Sequence, residues 1–144
     1  MTTVKNILQV KGSRVLSVTP QTSVFDALRI MAENNIGALL VMEGTSLAGF
    51  FSERDYARNM VRHDKLSNDI PVKDFMSTHV ISIKPDQSIQ ECMTLMTERR
   101  VRHLPVLDGD KVIGLISIGD VVKAIINDQQ YMIDQLENYI TGKR

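Results

Sequence analysis

The sequence has 144 residues, of which 43% are hydrophobic, and it carries seventeen basic and seventeen acidic side chains. This length and hydrophobicity suit one ordinary domain or two small halves that share a core, and they exclude a disordered chain. The zero formal net charge excludes a general electrostatic attraction to nucleic acid or an anionic membrane, but a local phosphate site is compatible with it.

The chain contains an internal duplication. Residues 15–61 align with residues 80–126 at an offset of 65 without a gap, and 12 of the 47 aligned pairs are identical. Sixteen of the other 35 pairs exchange one apolar residue for another. A lead-in also repeats at a slightly larger offset, with residues 4–8 matching residues 72–76. Each copy is therefore interpreted as one structural unit.

Each repeat predicts the element order β-α-β-β-α, so the expected fold class is mixed α/β (α+β). Short β-prone runs at residues 15–18 and 80–83 are stopped by prolines, which cannot donate to a β-ladder. Ser23 and Ser88 then stand at N-cap positions, each followed by apolar residues at helical spacing. The hairpins are expected at residues 38–52 and 103–117, around short glycine turns.

The domain boundaries follow from this duplication. The first domain with its lead-in is expected at 1–66, a polar linker at 67–71, the second domain at 72–128 and a C-terminal helical extension at 129–144.

The single cysteine, Cys92, cannot form an internal disulfide. It aligns with Ala27 on the apolar face of a predicted helix, which favours a buried, inert thiol over a reactive one. No signal-peptide core opens the sequence, and no apolar run approaches the roughly 20 residues of a membrane helix. We therefore expect a reducing, cytoplasmic setting.

Each hairpin leads into a junction of the same pattern, in which an aspartate follows a serine by three residues. Ser52 and Asp55 form this junction in the first repeat, and Ser117 and Asp120 form it in the second. The pattern resembles a capping box, although capping boxes prefer glutamate or glutamine at the last position. Alternatively, each carboxylate accepts hydrogen bonds from a ribose diol while the helix N-terminus favours a phosphate. Taken singly, these residues leave both interpretations open.

The element order, the duplication, the doubled junction and the phrase Arg102-His-Leu-Pro-Val106 resemble a pair of CBS domains, named after cystathionine β-synthase. The resemblance covers residues 4 to 128. It implies a pseudo-twofold module whose two clefts bind adenine-containing ligands such as AMP, ADP, ATP, NAD or S-adenosylmethionine. It also favours ligand binding over simple capping at both junctions.

The resemblance implies a set of ligand-binding residues in each repeat. In the first repeat they are Gly37, Ala38, Ser52, Arg54 and Asp55. At the start of the second repeat they are Thr78 and Val80, and further along it they are Arg102, His103, Pro105, Ser117 and Asp120.

The two implied sites are not equivalent. Arg102 and His103 stand where the first repeat has Gly37 and Ala38, so only the second repeat places cationic side chains there. Arg54 lies inside the first junction, where the second has glycine. Each arginine either contacts phosphate or is a solvated surface charge. Leu40 replaces the proline that the family usually has, and this departure weakens the match of the first site.

The C-terminal extension continues the apolar periodicity of the last helix. Residues Val122, Ile126, Gln129, Ile133, Leu136 and Ile140 are spaced alternately by four and three, the a/d rhythm of a coiled-coil seam. This spacing predicts a homodimer seam. The alternative is packing against the apolar lead-in residues Val4, Ile7 and Leu8 of the same chain.

The sequence as a whole is interpreted as a regulatory adenine-nucleotide sensor that acts on an unknown effector protein or on its own homodimer, not as an enzyme. No residue spacing supports a metal site or a nucleophile with its base. The one basic run, residues 99–102, is too narrow for a nucleic-acid site. The alternatives are a scaffold that binds no ligand and a small nucleotide-processing enzyme with Asp55 or Asp120 as base.

Overall fold

The structure is a computed structural model that describes residues 2–63 and 69–142. Part of the expected linker, at 67–68, lies outside the described residues. The same holds for residues 64–66 of the expected first domain and for residues 143–144 of the extension.

The described elements follow the predicted order. They are α1 Val4–Lys11, β1 Ser17–Val18, α2 Val24–Asn34, β2 Ala38–Glu43, β3 Ser46–Ser52, α3 Glu53–Met60, a 3₁₀ turn at Val72–Asp74, α4 Ile89–Arg99, β4 His103–Asp108, β5 Lys111–Ser117 and α5 Ile118–Thr141. The mixed α/β class is confirmed.

The first sheet has three strands, with β1 parallel to β2 and β2 antiparallel to β3. The second sheet has only β4 and β5, because the strand expected at 80–83 is reduced to a single bridge between Ile83 and Val106. The carbonyl of Pro105 accepts a hydrogen bond from the Ile83 N–H at 2.9 Å. Pro105 has no backbone N–H, so it cannot donate the next hydrogen bond of this parallel ladder.

The predicted helix starts are confirmed. The hydroxyl of Ser23 accepts from the backbone N–H of Asp26 at 3.0 Å, and the hydroxyl of Ser88 accepts from that of Glu91 at 3.1 Å. Cys92 is fully buried on the inner face of α4, and burial raises the pKa of its thiol to about 11. The thiol is therefore protonated and inert near neutral pH, as expected.

The chain forms two compact units, which divide it differently from the sequence repeats. One unit contains residues 14–81 and 108–113, and the other contains residues 1–13, 82–107 and 114–144. Each lead-in therefore belongs to the unit that holds the junction of the other repeat.

In the unit that holds Asp55, the second lead-in is attached by backbone hydrogen bonds. The N–H of Val72 donates to the carbonyl of Thr22 at 2.7 Å, and Ser77 exchanges two hydrogen bonds with Phe50 of β3. The lead-in also contributes buried apolar side chains to the core. That core contains Val18, Val24, Ala27, Met31, Leu39, Val41, Phe51, Ile70, Val72 and Phe75.

In the unit that holds Asp120, α1 is attached as the second lead-in is attached in the other unit. The N–H of Val4 donates to the carbonyl of Gln87 at 2.9 Å, and both Val4 and Leu8 are buried. The hydroxyl of Thr2 donates to Asp128 of α5 at 2.7 Å. The first lead-in is thus attached within its unit both to the segment before α4 and to α5.

Of the two glycine positions that are identical in the repeats, the pair in the second strand of each hairpin, Gly49 and Gly114, is required by the lead-ins. A Cβ atom on Gly114 would lie 2.6 Å from Cδ2 of Leu8. A Cβ atom on Gly49 would lie 2.8 Å from both the sulfur of Met76 and the carbonyl oxygen of Ser77. Real Cβ contacts are not this short, so only glycine lets each lead-in pack directly on its strand.

Helix α5 is 24 residues long and packs on its unit near its start, where Val121 is fully buried. No helix in the described part of the chain has both the length and the hydropathy to cross a membrane. The a/d residues of α5 remain exposed although the lead-in residues are buried, so the lead-in does not cover them. The exposed apolar members are Val122, Ile126, Ile133, Leu136 and Ile140.

We expect Gly114→Ala to lower the free energy of unfolding by about 1–3 kcal/mol, because the added methyl overlaps Leu8. Urea denaturation measures the change. The matched control is Gly119→Ala in the first turn of α5, where the new Cβ meets nothing closer than 3.6 Å and stability should be unchanged or slightly higher. Equal stability of the two variants would contradict the close packing of α1 on β5.

Candidate functional site

Both junctions form capping boxes. In the first, the Asp55 N–H donates to the Ser52 hydroxyl at 3.2 Å, and the Ser52 N–H donates to Oδ2 of Asp55 at 2.9 Å. In the second, the corresponding distances between Asp120 and Ser117 are 3.2 and 2.8 Å. The shorter aspartate thus reaches back to the cap as glutamate does in the usual box.

The capping boxes leave part of each carboxylate available. The hydrogen bonds that Asp55 and Asp120 accept through their side chains in the described part of the chain all reach Oδ2. Each Oδ1 therefore retains its acceptor capacity, and both aspartates are partly exposed. Capping and ribose binding are compatible at these positions.

Each unit brings the start of a hairpin to its junction. The N–H of Glu53 donates to the carbonyl of Gly37 at 3.0 Å, and the N–H of Ile118 donates to the carbonyl of Arg102 at 2.8 Å. The predicted residues at the hairpin starts, including the buried Ala38, therefore lie beside the helix N-termini.

Around Asp55, the structure places the predicted residues in one unit with different exposures. Arg54 and Thr78 are exposed, and Val80 is half-buried. Glu53, which was not predicted, lies over Gly37, with its Oε1 3.5 Å from the position of a Cβ there. In the described part of the chain no cation forms an ion pair with Asp55. In the described residues, this junction therefore has a partly exposed carboxylate with no cation paired to it.

Around Asp120, a lysine from the first lead-in occupies the junction. Nζ of Lys11 lies 2.6 Å from Oδ2 of Asp120 and donates to the carbonyl of Leu115 at 2.8 Å. Pro105 is buried, His103 is half-buried and Arg102 is exposed. The second site is thus the more cationic of the two.

These charges shift two pKa values. Burial acts to raise the pKa of Asp120, but the hydrogen bond from Lys11, the backbone N–H of Ser117 and the charge of Lys11 outweigh it and hold the pKa below its ordinary value. Burial and the charge of Lys11 lower the pKa of His103, against the opposite effect of Asp120. His103 is therefore neutral at pH 7.

Lys11 is not among the predicted site residues, because its lead-in was expected to belong to the first repeat. The lead-in alignment pairs Lys11 with His79, so a basic residue follows the last apolar residue of each lead-in by three positions. That signal identifies the lysine once the attachment of α1 to the second repeat is known.

Among residues 2–63 and 69–142, no cluster of histidine, cysteine and carboxylate side chains is arranged to hold a metal ion.

The family model for the CBS domain matches residues 4–62 and 72–127. The chain belongs to the CBS domain family. The two matches confirm the duplication and the family resemblance of the sequence.

CBS proteins of known sequence and structure resemble the whole duplicated chain. "CBS domain-containing protein CBSX3, mitochondrial" of Arabidopsis thaliana is 35% identical over 150 residues, covering 98% of this chain and 73% of that protein. The crystal structure of the CBS domain NE2398 is 49% identical, with a TM-score of 0.84 over 87% of this chain and 98% of that one.

The CBS domain pair of protein MJ0100 was solved in complex with 5′-methylthioadenosine and S-adenosyl-L-methionine. It is 21% identical to this chain, with a TM-score of 0.77 over 89% of this chain and 98% of that one. The likeness shows a shared CBS-pair fold.

The lowered pKa of Asp120 predicts a pH-dependent contribution to stability. Its ionised form stabilises the fold above the unfolded pKa of about 4, and the stabilisation is lost as the pH falls through the lower folded pKa. In urea denaturation, the loss of stability caused by Asp120→Asn should be largest above about pH 5 and should shrink toward pH 2.

The control is Asp55→Asn, which makes the same change in the equivalent capping box of the first repeat without removing a lysine ion pair. It should cost less stability than Asp120→Asn at pH 7. A deficit of Asp120→Asn that stays constant with pH would contradict the contribution of the ion pair.

Proposed function

We propose that this CBS pair is a regulatory sensor of an adenine nucleotide, of the AMP, ADP, ATP or NAD type. The observation that carries the proposal is the repeated junction, in which a partly exposed carboxylate with an open oxygen sits at a helix N-terminus. A carboxylate accepts from ribose hydroxyls, and the adjacent N–H groups favour a phosphate.

The charges around the two junctions support unequal phosphate preferences. Arg54 is the cation within the first junction, whereas Arg102 and His103 begin the hairpin beside the second. The neutral His103 supplies a hydrogen bond at pH 7 and becomes a cation when acid or a bound phosphate protonates it. Gly37 and Ala38 present backbone instead of charge at the corresponding position.

The solved relatives support an adenosine ligand as the chemical class. MJ0100, which shares the fold, was solved with two molecules that both contain adenosine. The ribose and adenine are common to these molecules and to AMP, ATP and NAD, so the ribose-binding aspartates are the part of the site that a nucleotide would share. The groups beyond the ribose decide which nucleotide binds.

Regulation would follow from a difference in ligand affinity between conformations. A bound nucleotide shifts the population of conformations only as far as it binds one of them more tightly. The output would pass to an effector protein or to a second copy of the chain. The matched family is not a catalytic one, which supports a sensor rather than a nucleotide-processing enzyme.

We expect AMP or a related adenine nucleotide to raise the melting temperature of the protein, because the ligand binds the folded state alone. The double variant Asp55→Ala, Asp120→Ala should show no such rise. Differential scanning fluorimetry measures both, and native mass spectrometry of the purified protein identifies any nucleotide that copurifies.

Both aspartates also cap helices, so their loss lowers stability with or without a ligand function. The control is Ser23→Ala, which removes a cap of similar worth from α2 but leaves both junctions intact. It should melt lower than wild type yet keep the full shift. No shift of the wild type with any adenine nucleotide would favour the scaffold alternative, in which the junctions act only as caps.

We also propose that two copies associate through α5. Its exposed a/d stripe is not covered by the lead-in of its own chain, and Met132 and Tyr139 extend the apolar surface beside it. Apolar residues that repeat every 3.5 positions pack against a second helix of the same pattern. Gln129 in the middle of the stripe would favour one register.

Light scattering coupled to size-exclusion chromatography should give twice the chain mass for the wild type. The double variant Ile133→Lys, Leu136→Lys places two charges in the stripe and should give a monomer, with at least a tenfold weaker association. The matched control Gln135→Lys adds a charge between them on another face of the helix and should remain dimeric. A dimer in the double variant would exclude α5 as the interface.

We infer a reducing, cytoplasmic compartment for the protein. The support is the buried and protonated Cys92 thiol together with the absence of any partner for a disulfide. Fluorescence microscopy of the tagged protein in its own cells tests the compartment.

A further inference from the structure

The ion pair between Lys11 and Asp120 makes the two junctions chemically different. Lys11 lies in the last turn of α1, and Leu8 one turn earlier packs on Gly114 of β5. The helix is therefore anchored at the strand that leads into the junction. This anchoring holds the ammonium at the carboxylate, with side-chain exposures of 39% for Lys11 and 24% for Asp120.

The ammonium occupies part of the carboxylate that a ribose diol would need, because a diol that uses both oxygens requires lone pairs on Oδ2. Oδ2 of Asp120 already accepts from the backbone N–H of Ser117 at 2.8 Å and from Nζ of Lys11 at 2.6 Å. Ribose hydroxyls bind a carboxylate as donors, and an ammonium is a donor only. A diol at Asp120 must therefore share the remaining oxygen or displace Lys11 from a charge-assisted hydrogen bond.

The first junction carries no such competitor. Oδ2 of Asp55 accepts from the backbone N–H and the hydroxyl of Ser52, both at 2.9 Å and both within the capping box. In the described part of the chain, Asp55 has no ion-pair partner. A ribose there meets a carboxylate that no ammonium of the described residues pairs with.

We propose that Lys11 is a specificity-determining residue that competes with ribose hydroxyls for Asp120. This inference rests on the proposed function. It makes Asp55 the higher-affinity ribose site of the duplicated pair. The lead-in of the first repeat thereby sets the affinity of the junction in the second repeat.

The test is isothermal titration calorimetry with adenosine and, separately, with AMP. Each is titrated into Asp55→Asn, in which the junction at Asp120 is the remaining ribose site, and into the same variant combined with Lys11→Met. Removing the ammonium should tighten adenosine binding about two- to fivefold, the range expected for a partly exposed ion pair. The matched control is Lys5→Met, which removes an exposed charge from the same helix and should leave the affinity unchanged.

Each outcome decides between distinct conclusions. Unchanged adenosine affinity on Lys11→Met would overturn the inference while the proposed function stands. AMP binding that weakens while adenosine binding stays constant would show that Lys11 holds the phosphate, which also overturns it. Absence of adenosine and AMP binding in the wild type and every variant would remove the proposed function itself. Circular dichroism verifies that each variant is folded.

Discussion

The close contact between each lead-in and a strand glycine is the constraint on which the rest of each unit depends. Leu8 occupies the space over Gly114, and Met76 with Ser77 occupies the space over Gly49. A side chain at either glycine would separate the lead-in from the strand that enters the junction. Gly49 and Gly114 are therefore required by packing, whereas the other duplicated pair, Gly44 and Gly109, serves the hairpin turns with its positive φ.

This packing connects the core to the functional site. Lys11 follows Leu8 by one helical turn, so the contact that buries Leu8 also delivers a charge to Asp120. In the other unit, Ser77 pairs with Phe50 and continues the sheet toward the junction without delivering a cation to Asp55. One packing scheme thus produces two sites with different electrostatics.

The Ser-x-x-Asp junction serves the fold whether or not a ligand binds. Its serine and aspartate satisfy backbone N–H groups that the first turn of a helix leaves without partners. The same geometry holds the carboxylate at a helix N-terminus with one oxygen directed away from the box. The proposed binding role therefore falls on the same residues as the structural one, and stability alone does not separate the two.

The sequence by itself determined the duplication, the element order, the capped helix starts, the buried cysteine and the CBS family, because these depend on periodicity and on local hydrogen bonding. It also identified Asp55 and Asp120, since the junction repeats intact. Only the tertiary structure decided that each lead-in joins the unit of the other repeat, because a short apolar segment fits any complementary surface. It likewise reduced the strand at 80–83 to one bridge beside Pro105, and it placed Lys11 on Asp120 across 109 residues of sequence, a contact that no local pattern encodes.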